Sequence, residues 1–439
     1  MNIVTFPQDR SLTSRRRCQL TCVVAMLVAA GPLRAQEPRE VSLDEALAIA
    51  IERNPQLDIA RADRDAVGAD RLGVWGSFLP SLRLNYGYQH SNVGRLDAIG
   101  QSITQTSHTL QLAGSYDLFT GFRRTSELRS SALQIDAQDA AVRKQEFDTR
   151  LQVKEAYYAA MAARDLARVE ADRLQRQTDQ LAFVREMVAR GSATRSDELR
   201  SSVDLNNARL AVLTAENAVR QSSFQLAAAI GLEEPVAPEP EAEFDLEPVP
   251  WSREAFVERV VDSSPAATAA RLFADVARVA VTSARSAYLP TLSMGLGQAW
   301  RNDEFPPEDN SWSLSLQASY PLFDGFDRES SVSRANAQAR AAEAAARSVE
   351  LDLRAQADDA YGQIDLASAG LALARETVEL AREDLRVTEE RYRLGLATIL
   401  DLQSAQIALR QAEVDLVQRR FDYALGLARL ESLLGTSLP

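Results

Sequence analysis

Lysine is almost missing from this chain of 439 residues: Lys144 and Lys154 are the only two, so arginine carries nearly all the positive charge. Histidine is as scarce, with His90 and His108 alone. A Ser-His-Asp triad or a zinc hydrolase would depend on those two residues, so no catalytic residue is assigned and the chain reads as no enzyme. Cysteine is limited to Cys18 and Cys22, both in the N-terminal segment, which leaves the rest without a disulfide or a thiolate metal site. No metal site and no cofactor are expected. Aromatics make up 6% of residues, and the formal net charge is −13 with no basic face, against nucleic acid as a partner. No Walker loop, G-x-x-x-x-G-K-[ST], is present, so any work the chain supports draws its energy elsewhere.

Long apolar runs are also lacking. The run Leu20–Ala30 spans eleven residues, too short to cross a bilayer. It follows Arg15, Arg16 and Arg17 and precedes a small residue at Ala35, the pattern of a signal peptide over 1–35. Neither cysteine follows this run, which speaks against a lipid anchor after cleavage.

What is present is a duplication. "SYDLFTGFRR" (115–124) returns as "SYPLFDGFDR" (319–328), seven of ten positions identical at an offset of 204. Pro55 matches Pro265, and "SFLPSL" (77–82) matches "AYLPTL" (287–292), at an offset of 210. The 204 offset then holds without a gap to Gly231 and Gly435. The chain divides into a first repeat (36–231), a segment at 232–250 rich in proline and acid, and a second repeat (251–439). The middle segment reads equally as a solvated linker or a small folded collar. Each repeat should carry a helix, a β-hairpin (81–119; 291–323) and a long helical hairpin with its tip near 191 or 395.

The hairpins show period two. Leu82, Leu84, Tyr86 and Tyr88 alternate with Arg83, Asn85, Gly87 and Gln89. Leu110, Leu112, Tyr116 and Leu118 alternate with polar residues, as do Leu292, Met294 and Leu296, and Trp312, Leu314, Leu316 and Tyr320. Strands of ~10 residues with one apolar face suit a tilted transmembrane barrel. Four strands cannot close one, and an open edge in lipid leaves costly unpaired backbone groups, so several chains must share it. A soluble hairpin packed on helices would explain the apolar faces equally well.

The helices carry heptads. Ile364, Leu371, Val378, Leu385 and Tyr392 recur every seven residues, with Ala367, Ala374, Ala381 and Thr388 three places on. A second series, Leu366, Leu373, Leu380, Val387 and Leu394, lies roughly 200° around the helix. Two opposed seams on one helix fit the wall of a hollow tube better than a solid bundle. From Asp327 to Leu394 no proline interrupts, and such a helix reaches ~100 Å. At the far ends, "RGSATRSDELRSS" (190–202) parallels "LGLATILDLQSAQ" (394–406): Gly191 with Gly395, Thr194 with Thr398, Asp197 with Asp401.

Taken in order, these motifs resemble the TolC-type outer-membrane efflux protein family over residues 41–435. The resemblance implies a mainly α fold with transmembrane β: a homotrimer whose twelve-stranded barrel sits in outer-membrane lipid and continues as a helical barrel through the periplasm. It implies a passive export duct of a tripartite efflux or type I secretion system, joined to a periplasmic adaptor protein and an inner-membrane pump of RND or ABC type. The family's docking tips correspond here to Arg190, Gly191 and Ser192 and to Leu394, Gly395 and Leu396. Its entrance constriction corresponds to Asp197, Asp401 and Tyr392. Ser404 stands where some members carry a second acid, and Ala397 where some carry a linking arginine, which implies a gate held closed more weakly here, or held by Arg195. The reading from another class is a secreted periplasmic coiled-coil scaffold or adaptor that never enters a membrane.

Overall fold

The computed structural model describes residues 39–96, 102–240 and 249–437. The signal segment expected at 1–35 lies outside the described residues, as do positions 241–248 of the acidic segment. The first half runs β1 (Arg39–Val41), α1 (Leu43–Arg53), α2 (Pro55–Gly76), β2 (Ser81–Leu96), β3 (Ser102–Thr120), α3 (Arg123–Ala189) and α4 (Arg195–Ala229). The second runs β4 (Val236–Pro238), α5 (Arg253–Ser263), α6 (Pro265–Arg285), β5 (Thr291–Asn302), β6 (Asp309–Ser319), α7 (Asp327–Arg393) and α8 (Ile399–Leu434).

Helices α3 and α7 are 67 residues each, ~100 Å long. Their sequences hold no proline and are dominated by Ala, Leu, Arg, Gln and Glu, residues that lose little rotamer freedom in a helix. The shorter helices meet end to end beside them. Asn54 caps α2, whose first residue is Pro55, by accepting from the Gln56 amide at 2.9 Å. Its Nδ2 donates to the Ala229 carbonyl at the end of α4, at 3.0 Å. Gly231 (φ +78°) turns the chain away, and a Cβ there would stand 2.6 Å from the Arg53 carbonyl oxygen. The second copy repeats the joint: Ser264 caps α6 before Pro265, and a Cβ on Gly435 (φ +69°) would meet the Pro265 ring at 2.4 Å. Only glycine closes either joint.

Side by side, the helices form a wall. In its upper part the packing order is α2, α3, α6, α7; in its lower part it is α4, α3, α8, α7. Two apolar cores sit at the waist between the parts. One gathers Val41, Ala46, Val153, Tyr157, Met161, Leu226, Ile230, Val236 and Phe421; the other gathers Phe256, Val260, Leu353, Ile364, Tyr423 and Leu430. Strand β4, within the acidic segment, pairs in parallel with β1, so this part of the segment is ordered against the wall and α1.

Of the two α7 heptad series, the one through Ile364, Leu371, Val378, Leu385 and Tyr392 is buried. The other is open: Leu366, Leu373, Leu380 and Leu394 are 64–74% exposed.

The four long strands form one antiparallel sheet in the order β2-β3-β5-β6. The register aligns the apolar positions: Leu84 faces Leu112, Tyr86 faces Leu110, Leu110 faces Trp300, and Leu296 faces Leu314. One face is therefore mainly apolar across all four strands, the other lined by Ser, Gly, Thr, Asn and Gln with Arg83, Asp117, Arg301 and Asp309. The alternation expected through Tyr116 and Leu118 breaks at a bulge between Asp117 and Phe119, which brings Phe119 opposite Leu292. β6 ends at Ser319, so Tyr320 and the rest of the hairpin expected to reach 323 lie past the strand.

Each strand-to-helix junction is the repeated motif with which the duplication was found. Gly121 and Phe122 both take positive φ (61° and 67°), as do Gly325 and Phe326 (both 69°). A Cβ on Gly121 would lie 2.5 Å from the Ser286 carbonyl oxygen. The last arginine of each motif braces the turn. Arg124 lies over the Phe78 ring at 5.0 Å and donates to the carbonyls of Ser77 and Asp117. Arg328 lies over the Tyr288 ring at 5.1 Å and pairs with Asp324.

Candidate functional site

At the end of the wall opposite the sheet, the two helical hairpins turn with nearly the same backbone. α3 ends with bonds from the Gly191 amide to the Val188 carbonyl and from the Ser192 amide to the Met187 carbonyl. α7 ends with bonds from Gly395 to Tyr392 and from Leu396 to Arg391. Both are Schellman turns with glycine in the left-handed region, at φ 76° and 73°. No atom lies within 4 Å of a Cβ built on either glycine, so backbone geometry rather than crowding requires them.

Asp197 and Asp401 start the outgoing helices. The Thr398 amide and hydroxyl both donate to Asp401 Oδ2 at 2.8 Å, and the Asp401 amide donates to Thr398 Oγ1 at 3.2 Å. Thr194 and Asp197 make the same reciprocal set at 3.0, 2.8 and 3.3 Å. These are capping boxes. Hydrogen bonds from Thr398, with the Arg391 charge assisting, hold the Asp401 carboxyl below the ordinary carboxylate range, so it stays ionised at the surface. The threonines were missed as caps in the sequence, although Thr-x-x-Asp before a helix is a readable cue.

Tyr392 is buried against Phe183, with ring centroids 6.2 Å apart, and shares a cluster with Val184, Leu385, Ile399, Leu402 and Leu409. Burial, then the nearby Asp197 charge, raises its phenol above the usual range. The Asp197 carboxylate, on the other hairpin, thus acts on Tyr392 through its charge. Arg195 pairs with Glu198 and Arg190 with Glu186, both within the first hairpin. Within one chain neither arginine reaches Asp401.

The histidines lie on the sheet, away from the tips. His90 shares a hydrogen bond with the Thr106 hydroxyl at 3.1 Å. His108 shares one with the Tyr86 hydroxyl at 2.9 Å and packs against the Tyr88 and Phe305 rings. Among the described residues no helix is long and apolar enough to cross a membrane.

The sheet and the wall are both left with open edges. β2 and β6 each pair on one side only. Below the waist α4 and α7 are the outer helices, and both expose apolar rows. On α4 the row is Leu199, Val203, Leu210, Leu213 and Phe224, again near heptad spacing; on α7 it is the series from Leu366 to Leu394. The α4 row escaped the sequence reading because Asn206 and Asn217 interrupt it.

The family model described as outer membrane efflux protein matches residues 46–232 and 257–436. Protein CyaE of Bordetella pertussis is 27% identical over 326 residues, covering 71% of this chain and 66% of that protein. Outer membrane protein TolC of Vibrio cholerae is 26% identical over 396 residues, 88% of each chain. Among solved structures, the outer membrane protein VceC of Vibrio cholerae superposes with a TM-score of 0.76 at 17% identity, over 90% of this chain and 97% of that one. Two matched segments, one per repeat, span nearly all of the described residues, and the chain belongs to the outer membrane efflux protein family.

Proposed function

We propose that three copies of this chain form a passive export duct from the periplasm through the outer membrane. The observation that carries this reading is the coincidence of two open edges. At both levels one edge belongs to the first repeat (β2; α2 above the waist and α4 below) and the other to the second (β6; α7). One rotation that brings β6 against the next copy's β2 also brings α7 toward the next copy's α4. Such a head-to-tail contact closes into a ring when the rotation does. Three copies give twelve strands and remove every sheet edge from lipid. The apolar sheet face then meets lipid and the Ser- and Gly-rich face lines the lumen. Family membership sets aside the scaffold that never enters a membrane.

The tips are the docking surface for a periplasmic adaptor, through Arg190, Gly191 and Ser192 and through Leu394, Gly395 and Leu396. The adaptor links the duct to an inner-membrane pump of RND or ABC type, which supplies the energy. Asp401, Asp197 and Tyr392 form the entrance, with Arg195 held by Glu198 until a neighbouring copy offers another acid. Three copies of Asp401 around one axis focus a negative potential that gathers cations. The test is reconstitution of the native outer-membrane complex into planar bilayers after its mass is measured. A trimer with cation-selective conductance supports the duct. A monomeric mass, or a trimer that never conducts, overturns it.

A further inference from the structure

The chain's only two histidines stand together near the outer end of the sheet. His108 on β3 pairs with Tyr88 on β2, and His90 pairs with Thr106, so the two are diagonal neighbours, ~7–8 Å apart. His108 also pairs with Asn302, the last residue of β5. Both histidines share the face of Leu84, Tyr86, Leu110 and Leu112, the apolar one. Counted up β3 from Phe119, His108 is eleven residues away. That is ~36 Å along the strand and ~28 Å along the membrane normal at the usual tilt, against an apolar band ~25 Å tall. The imidazoles therefore stand just past the outer edge of the band, at the level of lipid headgroups.

Each ring is held through one nitrogen. Nδ1 of His108 shares a hydrogen bond with the Tyr86 hydroxyl at 2.9 Å, and Nδ1 of His90 shares one with the Thr106 hydroxyl at 3.1 Å. The rings of Tyr88 and Phe305 close on His108, with centroids 5.1 and 5.9 Å away. Among the described residues neither Nε2 has a hydrogen-bond partner. A hydroxyl that donates to Nδ1 leaves the ring proton on Nε2, and a protonated imidazole carries one there as well. Two N–H donors are thus offered at a spacing that two oxygens of one phosphate can bridge. Packing alone does not ask for them, since phenylalanine would fill either place without leaving a donor bare. The loop that carries Phe305 also carries Asp303 and Glu304, both exposed. A phosphate docks beside these acids together with a divalent cation, which carboxylate and phosphate oxygens hold jointly.

We propose that His90 and His108 form a binding site for the phosphate of a phosphorylated glycolipid in the outer leaflet, one site on each chain. The proposal rests on the duct reading, in which the apolar face meets lipid. The outer leaflet of an outer membrane is built of such glycolipids, and their sugar-borne phosphates lie at this depth. The site holds one headgroup at the barrel rim, where β5 ends and only β2 and β3 continue outward. Tyr86, Tyr88 and Phe305 then lie beside the upper acyl chains and the sugar.

The experiment uses the full trimer in detergent with magnesium present and its histidines isotopically labelled. Two histidines per chain give two Nε2 signals by nuclear magnetic resonance. Titration with diphosphoryl lipid A should shift both signals together and saturate at one lipid per chain. Lipid A stripped of its phosphates should leave them in place. His90→Phe and His108→Phe keep a ring at each position and remove the nitrogens, and each should weaken lipid A binding about tenfold in an intact trimer. Equal shifts with dephosphorylated lipid A, with phosphatidylglycerol or with inorganic phosphate overturn the glycolipid site, as does unchanged binding in the double variant. Failure of the duct reading shows elsewhere: Ser315→Arg, rather than Leu314→Arg, would then block assembly.

Discussion

Leu373→Ala with Leu380→Ala should break the trimer without harming the protomer. These two leucines lie on the open α7 series and are 64% and 65% exposed in the single chain. Truncation to alanine removes three carbons, each worth ~0.8 kcal/mol when buried. Scaled by the surface a neighbour would cover, each site loses about 1.5 kcal/mol per interface. Two sites over three interfaces come to about 9 kcal/mol for the ring, if the losses add. For a trimer that moves the concentration of half-dissociation by about three orders of magnitude. Mass measurement in detergent over a dilution series reads this directly. Leu371→Ala is the control. Leu371 is 4% exposed and packs inside its own protomer, so truncation leaves a cavity costing about 2–5 kcal/mol at any protein concentration. The reasoning is refuted if the Leu373/Leu380 variant stays trimeric on dilution, or if it melts like Leu371→Ala with no concentration dependence.

On the sheet, Leu314→Arg or Leu316→Arg places charge on the face shared with Leu296 and Met294 and should cost ~2–4 kcal/mol near the bilayer midplane. Ser315→Arg, paired with Gly295 on the other face, should assemble normally, and equal assembly of all three would reverse the orientation of the sheet. At the tips, Gly395→Trp forces a bulky side chain into a left-handed turn at φ 73° and should abolish export while trimers still reach the outer membrane; wild-type export would remove this turn from the docking surface. Asp401→Asn should shift the reversal potential in a salt gradient toward lower cation selectivity, and an unshifted value would leave Asp401 as a helix cap alone. The folded carboxyl is held low, so its charge and its capping contribution are present at neutral pH and lost only as pH falls through that depressed value. Selectivity should therefore hold through mildly acidic pH and fade only in stronger acid.

Much of the wall was legible because a coiled seam writes a period into the chain. Ile364, Leu371, Val378, Leu385 and Tyr392 declared one seam and Leu366 to Leu394 another, and a single chain fills the first while leaving the second bare. The sheet was legible for the same reason at period two. What stayed hidden breaks a period. Glu170 and Gln177 look like solvent-facing residues in sequence, because nothing local reveals that Arg410 and Gln406 wait on a helix more than two hundred residues away. The bulge at Leu118 adds one residue to one strand, and only the partner strand reveals it. β6 ends at Ser319 because its partner β5 begins at Thr291, opposite it, not through any loss of apolar character at Tyr320.

The tips show how a duplicated chain separates scaffold from function. Gly191 and Gly395, Thr194 and Thr398, and Asp197 and Asp401 are the same in both copies, and every one of them fixes backbone: a left-handed turn and a reciprocal cap. The shared threonines therefore need no functional explanation; nothing in the structure explains the shared Ala193 and Ala397. Apart from Ser192, whose hydroxyl donates to the Met187 carbonyl, the residues compared next make no backbone bond through their side chains. Arg190 stands against Leu394, Ser192 against Leu396, Arg195 against Ile399 and Ser196 against Leu400. One turn presents charge and hydroxyls, while the other exposes Leu394, Leu396 and Leu400. In a trimer the two kinds alternate around the rim, so its six turns share a backbone but offer two surfaces. A partner ring built of identical hairpins would meet the same shape six times and the same chemistry only three times. Identity between the copies marks what the fold requires, and recognition is to be sought in the side chains that diverged.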